Sequence, residues 1–165
     1  MRRGLALLLF LILAAGFFMP WPVYRVRLVS PSGEKILEYN LTGYELFRVA
    51  KASMSLGGEL GEKLAPFLLY PLALLGVFLA VLARSDALLA LSSLTALGVL
   101  AYFYMVYDSV LRMVEALGLS LLALRGVAAV IDAVNLGVGF YVSAVAAFAL
   151  LLVAGSGGGR RGGPR

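Results

Sequence analysis

The stretch FFMPWPVYRVRLV, residues 17–29, decides how the rest of the chain is read. Before it, residues 4–18 are almost entirely leucine, alanine, phenylalanine and isoleucine. After it, Val23, Tyr24, Arg25, Val26, Arg27, Leu28 and Val29 alternate apolar and basic side chains. Pro20 and Pro22 each lack an N–H and bias the preceding residue to extended geometry, so a helix ends here. Tyr24, Val26 and Leu28 then share one face of a strand, and Arg25 and Arg27 form its solvated face. Trp21 and Tyr24 are expected as interface anchors, the indole facing both lipid and water. The stretch reads as the junction between a membrane anchor and an outer strand.

Composition supports the anchor. The 165 residues are 62% hydrophobic with a mean hydropathy of +0.97, against roughly 45–50% apolar for a soluble domain. The excess falls in long uncharged runs, the signature of membrane-spanning helices. Spans are expected at about residues 4–21, 64–83, 87–107 and 136–154, within a single membrane domain over residues 1–154. The basic Met1-Arg2-Arg3 start also fits a secretory signal peptide. The bulky residues 17–21 occupy the place of a small-residue cleavage site, which favours an uncleaved anchor. Pro66 fits the first turn of the second span, and Pro71, lying deeper, is expected to bend it. Arg84-Ser85-Asp86 form a tight turn that makes the second and third spans antiparallel neighbours.

The chain contains neither cysteine nor histidine, which removes disulfides, zinc fingers, iron–sulfur clusters and imidazole acid–base chemistry. No metal or cofactor site is expected. The net charge of +5 does not indicate nucleic acid, because Arg2, Arg3, Arg84, Arg160, Arg161 and Arg165 adjoin apolar runs, as orientation signals do. Four spans put both termini on one side, and the positive-inside rule makes that side cytoplasmic. Residues 155–165 read as a disordered basic cytoplasmic tail. Trp21, Tyr24, Tyr70, Tyr102, Tyr104 and Tyr107 fall toward the outer boundary. The preference for arginine over lysine suits a thermophilic archaeon or bacterium.

Two outer segments follow from this topology, residues 22–63 and 108–135. In the first, Ser30-Pro31-Ser32-Gly33 is a turn signal, and residues 36–42 alternate again, so a β-hairpin is expected. Glu38 is placed to pair with the basic residues of the first strand. A lone hairpin is marginal in water and must lean on other strands, a helix or the membrane surface. Thr42 and Glu45 have the spacing of a capping box at the start of a short amphipathic helix. In the second segment, Asp108, Arg112 and Glu115 share a helical face, and Arg125 and Asp132 share another. The expectation is a helical extension of the third span followed by an amphipathic helix at the outer interface, with a re-entrant element as the alternative.

These five charged residues are the candidate site. Ionisable groups near membrane depth suggest substrate paths or relays, but near a boundary, structural ion pairing is the plainer reading. Asn40-Leu41-Thr42 matches a glycosylation sequon, making Asn40 a possible acceptor. Gly98 and Gly137-Val138-Gly139 offer small surfaces for close helix approach. Gly57 and Gly61 have GxxxG spacing but lie outside the apolar runs. No phosphate loop, dinucleotide fingerprint, serine elbow or paired catalytic carboxylates are present.

The Pro-Trp junction after the first span, the Thr42-Gly43-Tyr44-Glu45-Leu46 turn, and the Gly137-to-Ser143 opening of the last span carry a resemblance. The layout resembles prokaryotic tetraspan membrane proteins of uncharacterised function whose plan is similar to that of claudins. The resemblance implies a left-handed four-helix bundle capped by a small outer sheet. The chain departs from claudins in lacking the cysteine pair and the W-x-x-W-C-C signature, so barrier or pore function is not implied. The expected fold is therefore mainly α and integral to the membrane, a four-transmembrane-helix bundle with a small extracytoplasmic β-hairpin or sheet and short amphipathic helices outside. The expected function is non-enzymatic. The partners would be the lipid bilayer and further copies or other membrane proteins, engaged as a structural protein or a small subunit of a larger complex. The alternative is a transporter or channel component using the Asp108/Arg112/Glu115 and Arg125/Asp132 charges.

Overall fold

The computed structural model describes residues 2–30, 33–56, 59–123 and 128–156. The first apolar run forms α1 (Arg2–Phe17), ending sooner than the expected residue 21. Its last turn tightens, with Phe18 N donating to Ala15 O and Met19 N to Gly16 O at 3.0 and 3.2 Å. Pro20 has no N–H to continue the ladder. The chain enters β1 (Pro20–Ser30) and returns as β2 (Gly33–Thr42). Helices α2 (Gly43–Leu56) and α3 (Glu59–Leu64) follow.

The expected bend at Pro71 takes another form. A 3-10 turn (Ala65–Leu68) precedes α4 (Leu69–Ala83), so Pro71 falls in the first turn of α4, where its missing N–H costs little. Helix α4 ends with Arg84 in the left-handed region, φ 61° and ψ 34°. Ser85 caps the next helix, accepting from Leu88 N at its Oγ, 3.2 Å. Helix α5 (Asp86–Ala123) thus turns straight back along α4, as expected, and the two pack together. Its 38 residues span about 57 Å at 1.5 Å per residue.

Helix α5 supplies the expected extension of the third span, but among the described residues no amphipathic helix follows it. Residues of that segment form the strand β3 (Ala128–Leu136) instead. Val130, Ile131 and Val134 are β-branched, and the open side of β1 offers the strand a complete backbone ladder. Asp132, expected on a helical face, therefore lies on a strand. The chain ends, among the described residues, in α6 (Val138–Gly155). The tail residues 157–165 lie outside the described residues.

Helices α1, α4, α5 and α6 close into a ring in which α1 touches α4 and α6, and α5 touches α4 and α6. Gly61–Ala83, Asp86–Val106 and Val138–Gly155 are long and apolar enough to cross a membrane, whereas the apolar part of α1, Arg3–Phe17, is shorter. The bundle interior combines small side chains, among them Ala73, Ala80, Ala96, Ser93, Ser143, Ala146 and Ala147, with large ones such as Leu13, Val77, Leu100 and Leu150. Its outside carries Leu72, Leu82, Leu91, Leu94, Val145 and Phe148, with Val145 70% exposed. Small residues where helices meet and large apolar residues on the outside are compatible with helices packed within lipid. At the α1–α6 crossing, a Cβ on Gly16 would strike the Ser143 side chain, and one on Gly139 would lie 2.7 Å from Gly16 O. Gly98 plays no such part; it has open space around it.

The sheet has the order β2-β1-β3, antiparallel throughout, and gathers both outer segments onto one end of the bundle. Two irregularities shape it. Opposite β2, the register jumps between Pro20 and Val23, making Trp21-Pro22 a bulge. Opposite β1, β3 jumps from Ala133 to Ile131, leaving Asp132 as the extra residue.

Candidate functional site

With β1 paired on both sides, β2 is an edge whose far side meets no strand among the described residues. Its side chains are largely exposed, Ile36 at 59% and Tyr39 at 46%. The hairpin register puts Arg25 opposite Glu38 and Arg27 opposite Ile36. Arg25 Nε meets Glu38 Oε1 at 2.7 Å, the expected cross-strand pair, and Arg27 Nε meets Glu34 Oε1 at 3.0 Å diagonally. All four side chains are about half exposed or more, so each pair is worth roughly 0–1 kcal/mol. Their effect is on register and solubility more than on stability.

Beside this edge lies α2, started by the expected capping box. Glu45 N donates to Thr42 Oγ1 at 3.1 Å, and Thr42 N donates back to Glu45 Oε2 at 2.7 Å. Together the end of β2 and the face of α2 form an open groove of about 370 Å³, lined by Leu41, Glu45, Arg48, Val49 and Ala52. An edge strand continuing into a groove with an apolar floor and charged rim is suited to binding an extended polypeptide by strand addition.

Underneath, the sheet is anchored by an aromatic hub. Trp21 is 0% exposed, not shared between lipid and water as expected of an interface anchor. The bulge at Trp21-Pro22 coincides with its inward turn, and Nε1 donates to Gly16 O at 3.0 Å. Its ring centroid lies 5.0 Å from Tyr70, 5.4 Å from Phe103 and 6.4 Å from Phe140, so one indole touches α4, α5 and α6. Phe17 stacks on Tyr70 at 5.3 Å. Tyr70 Oη and Ser143 Oγ are neighbours in the interior, but neither completes a well-formed hydrogen bond among the described residues. The other buried polar side chains there are Ser53, Ser92 and Ser93, with Ser93 Oγ bonded to Leu89 O at 2.7 Å.

The candidate charges are distributed over two elements. Asp108, Arg112 and Glu115 belong to α5, beyond Val106. Asp132 sits at the β3 bulge, beside the positions that pair with Arg25 and Val26. Arg125 lies outside the described residues. Tyr24 lies on β1, opposite Tyr39 on one side and Val134 on the other, and Asn40 is exposed on β2. Hydrophobic periodicity gave no sign of the groove between β2 and α2, because it joins residues that are not on one element. The alternation of residues 23–29 and 36–42 was the one signal pointing toward it.

Comparison of the chain with protein-family models, with curated proteins and with solved structures returns no match.

Proposed function

We propose that this protein is a non-enzymatic, multi-pass membrane protein that works by holding a protein partner on its sheet end, as a structural protein or the small subunit of a larger membrane complex. In this reading α1, α4, α5 and α6 all cross the bilayer, α1 completing its crossing with the residues up to Trp21. Both termini and the α4–α5 turn face the cytoplasm, where Arg3 and Arg84 accord with the positive-inside rule, and the sheet faces outward. Two features of the bundle support membrane placement. Three of its helices are long and apolar enough to cross, and large apolar side chains such as Leu72, Leu82, Val145 and Phe148 cover its outside.

The observation that carries the interaction reading is the open β2 edge. A ten-residue edge strand with exposed Ile36 and Tyr39 is a ready template for another strand unless something covers it. The adjoining groove along α2 supplies side-chain selectivity.

The test is purification of the full chain in mild detergent with cross-linking and mass measurement, beside a double variant Ile36→Lys/Tyr39→Lys. Two lysines on an exposed edge oppose strand addition without touching the core. The wild type should travel as a defined assembly and the variant as a monomer with an unchanged melting temperature. A monomeric wild type, or a variant that keeps its assembly, overturns the reading. Topology is tested separately, using the absence of native cysteine: Lys35→Cys should react with an impermeant thiol reagent on intact cells, and Arg84→Cys should not.

A further inference from the structure

At the opposite end from the sheet, where α4 turns into α5, a cleft of about 300 Å³ opens between all four long helices. Its polar rim is Arg3 of α1, Arg84 and Ser85 of the turn, and Asp86 of α5, over an apolar floor that includes Ala6 and Leu89. We infer that this cleft binds the phosphate headgroup of an anionic membrane phospholipid. The inference rests on the membrane reading above.

Charge is the first argument. Two guanidinium groups from different elements converge on one small volume, and among the described residues neither lies within ion-pairing distance of a carboxylate. Asp86 shares the rim but occupies the first turn of α5, where the helix dipole already favours a negative charge. Guanidinium matches phosphate through paired, charge-assisted hydrogen bonds, the strongest kind at an accessible surface. Ser85 adds a donor: its Oγ accepts from Leu88 N, which leaves the hydroxyl hydrogen for an anion.

Shape and place argue for a lipid over a free phosphate. The volume lies at the lower end of the roughly 300–1,000 Å³ of small-molecule sites. The floor is apolar, with Ala6, Val81, Leu89 and Val153 among its lining residues, so a headgroup in the cleft would have its glycerol and first methylenes against hydrocarbon. A soluble phosphate gains nothing from that floor. Orientation by the positive-inside rule, the plainer role for these arginines, needs only charge on this side. It does not need two of them around one cavity.

Arg84 also makes the experiment clean. It holds φ 61°, a conformation that glycine adopts freely and that costs other residues about 1–2 kcal/mol. Arg84→Gly therefore removes the guanidinium while easing the backbone, so loss of ligand response in this variant is not loss of fold. The full chain, Arg84→Gly and Arg3→Gln would each be reconstituted in nanodiscs of phosphatidylcholine with increasing phosphatidylglycerol. Unfolding midpoint and retained lipid by native mass spectrometry are the readouts. The wild type should show a saturable rise in midpoint with retained phosphatidylglycerol, and each variant an apparent affinity weaker by about tenfold or more, as loss of one charge-assisted contact predicts. Equal responses in wild type and variants overturn the inference. So does equal stabilisation by soluble glycerol phosphate, which would assign the cleft to a free phosphate compound. Failure to enter nanodiscs at all would overturn the membrane reading itself, whereas a reconstituted protein indifferent to headgroup overturns only the lipid site.

Discussion

Trp21 Nε1 donates to the carbonyl oxygen of Gly16 at 3.0 Å, and Pro20 is the reason that oxygen is available. In a continuing helix, Gly16 O would accept from the N–H four residues on, and residue 20 has none. The same proline that ends α1 thus frees that oxygen from its usual i+4 donor; it also accepts from Met19 N at 3.2 Å, and a lone pair remains for the indole. Because the chain has a single tryptophan, this arrangement can be followed by fluorescence. Emission should be blue-shifted and resist both aqueous acrylamide and brominated lipid. Strong quenching by brominated lipid would return Trp21 to the lipid interface. Trp21→Ala should cost about 3–5 kcal/mol. Trp21→Phe, which keeps much of the ring contact but loses the donor, should cost substantially less.

Glycines on the bundle should separate into two kinds. A Cβ at Gly139 would lie 2.7 Å from both Gly16 O and Met19 O, backbone atoms that cannot swing aside. Gly139→Ala should therefore push α1 and α6 apart and lower the melting temperature in detergent. Gly98 has open space in place of such neighbours, and alanine is the better helix former by roughly 0.5–1 kcal/mol. Gly98→Ala should be neutral or stabilising. If both variants behaved alike, helix propensity and not close packing would govern these positions.

That contrast bears on what could be read from the chain alone. Local signals with short geometric reach were legible. The hairpin of residues 20–42, the turn at Arg84-Ser85 and the Thr42/Glu45 cap each depend on residues a few positions apart, so their spacing carries the information. The strand β3 was not legible, because Val127-Ala128-Ala129-Val130-Ile131-Asp132 has no strict alternation and follows a long helix. What makes it a strand is β1, more than a hundred residues earlier in the chain, whose second edge would otherwise lack partners. The burial of Trp21 was hidden for a similar reason. Tryptophan beside a membrane boundary is ordinarily interfacial, and only the bulge opposite β2 and the rings of three other helices turn it inward. Nor could spacing show that Arg3 and Arg84 share a cleft, since only bundle closure unites them.

The capping box gives a test at the sheet end. Thr42→Ala should destabilise α2 by about 0.5–2 kcal/mol, and Glu45→Ala by a similar or smaller amount. Each residue satisfies a backbone donor of the other, so the double variant should cost less than the two single changes added together. A thermodynamic cycle from melting curves in one detergent measures this. Strict additivity would mean that the two contacts act independently.

The last prediction concerns the interior beside Gly16. Tyr70 and Ser143 are almost wholly buried, at 1% and 0% exposure, and among the described residues neither hydroxyl completes a hydrogen bond. A buried hydroxyl without a partner carries a desolvation penalty of about 1–3 kcal/mol, whereas an apolar group of the same shape carries none. Tyr70→Phe preserves the stacking on Phe17 and the edge contact with Trp21. It should therefore leave the melting temperature unchanged or raise it, and Ser143→Ala, which removes the other buried hydroxyl without a partner, should do the same. A loss of 1 kcal/mol or more in Tyr70→Phe would show instead that the hydroxyl has a working partner, such as an ordered water bridging it to Ser143. The double variant would then distinguish the two cases: with a bridge, removing the second hydroxyl adds little further cost, and without one, both changes remain harmless.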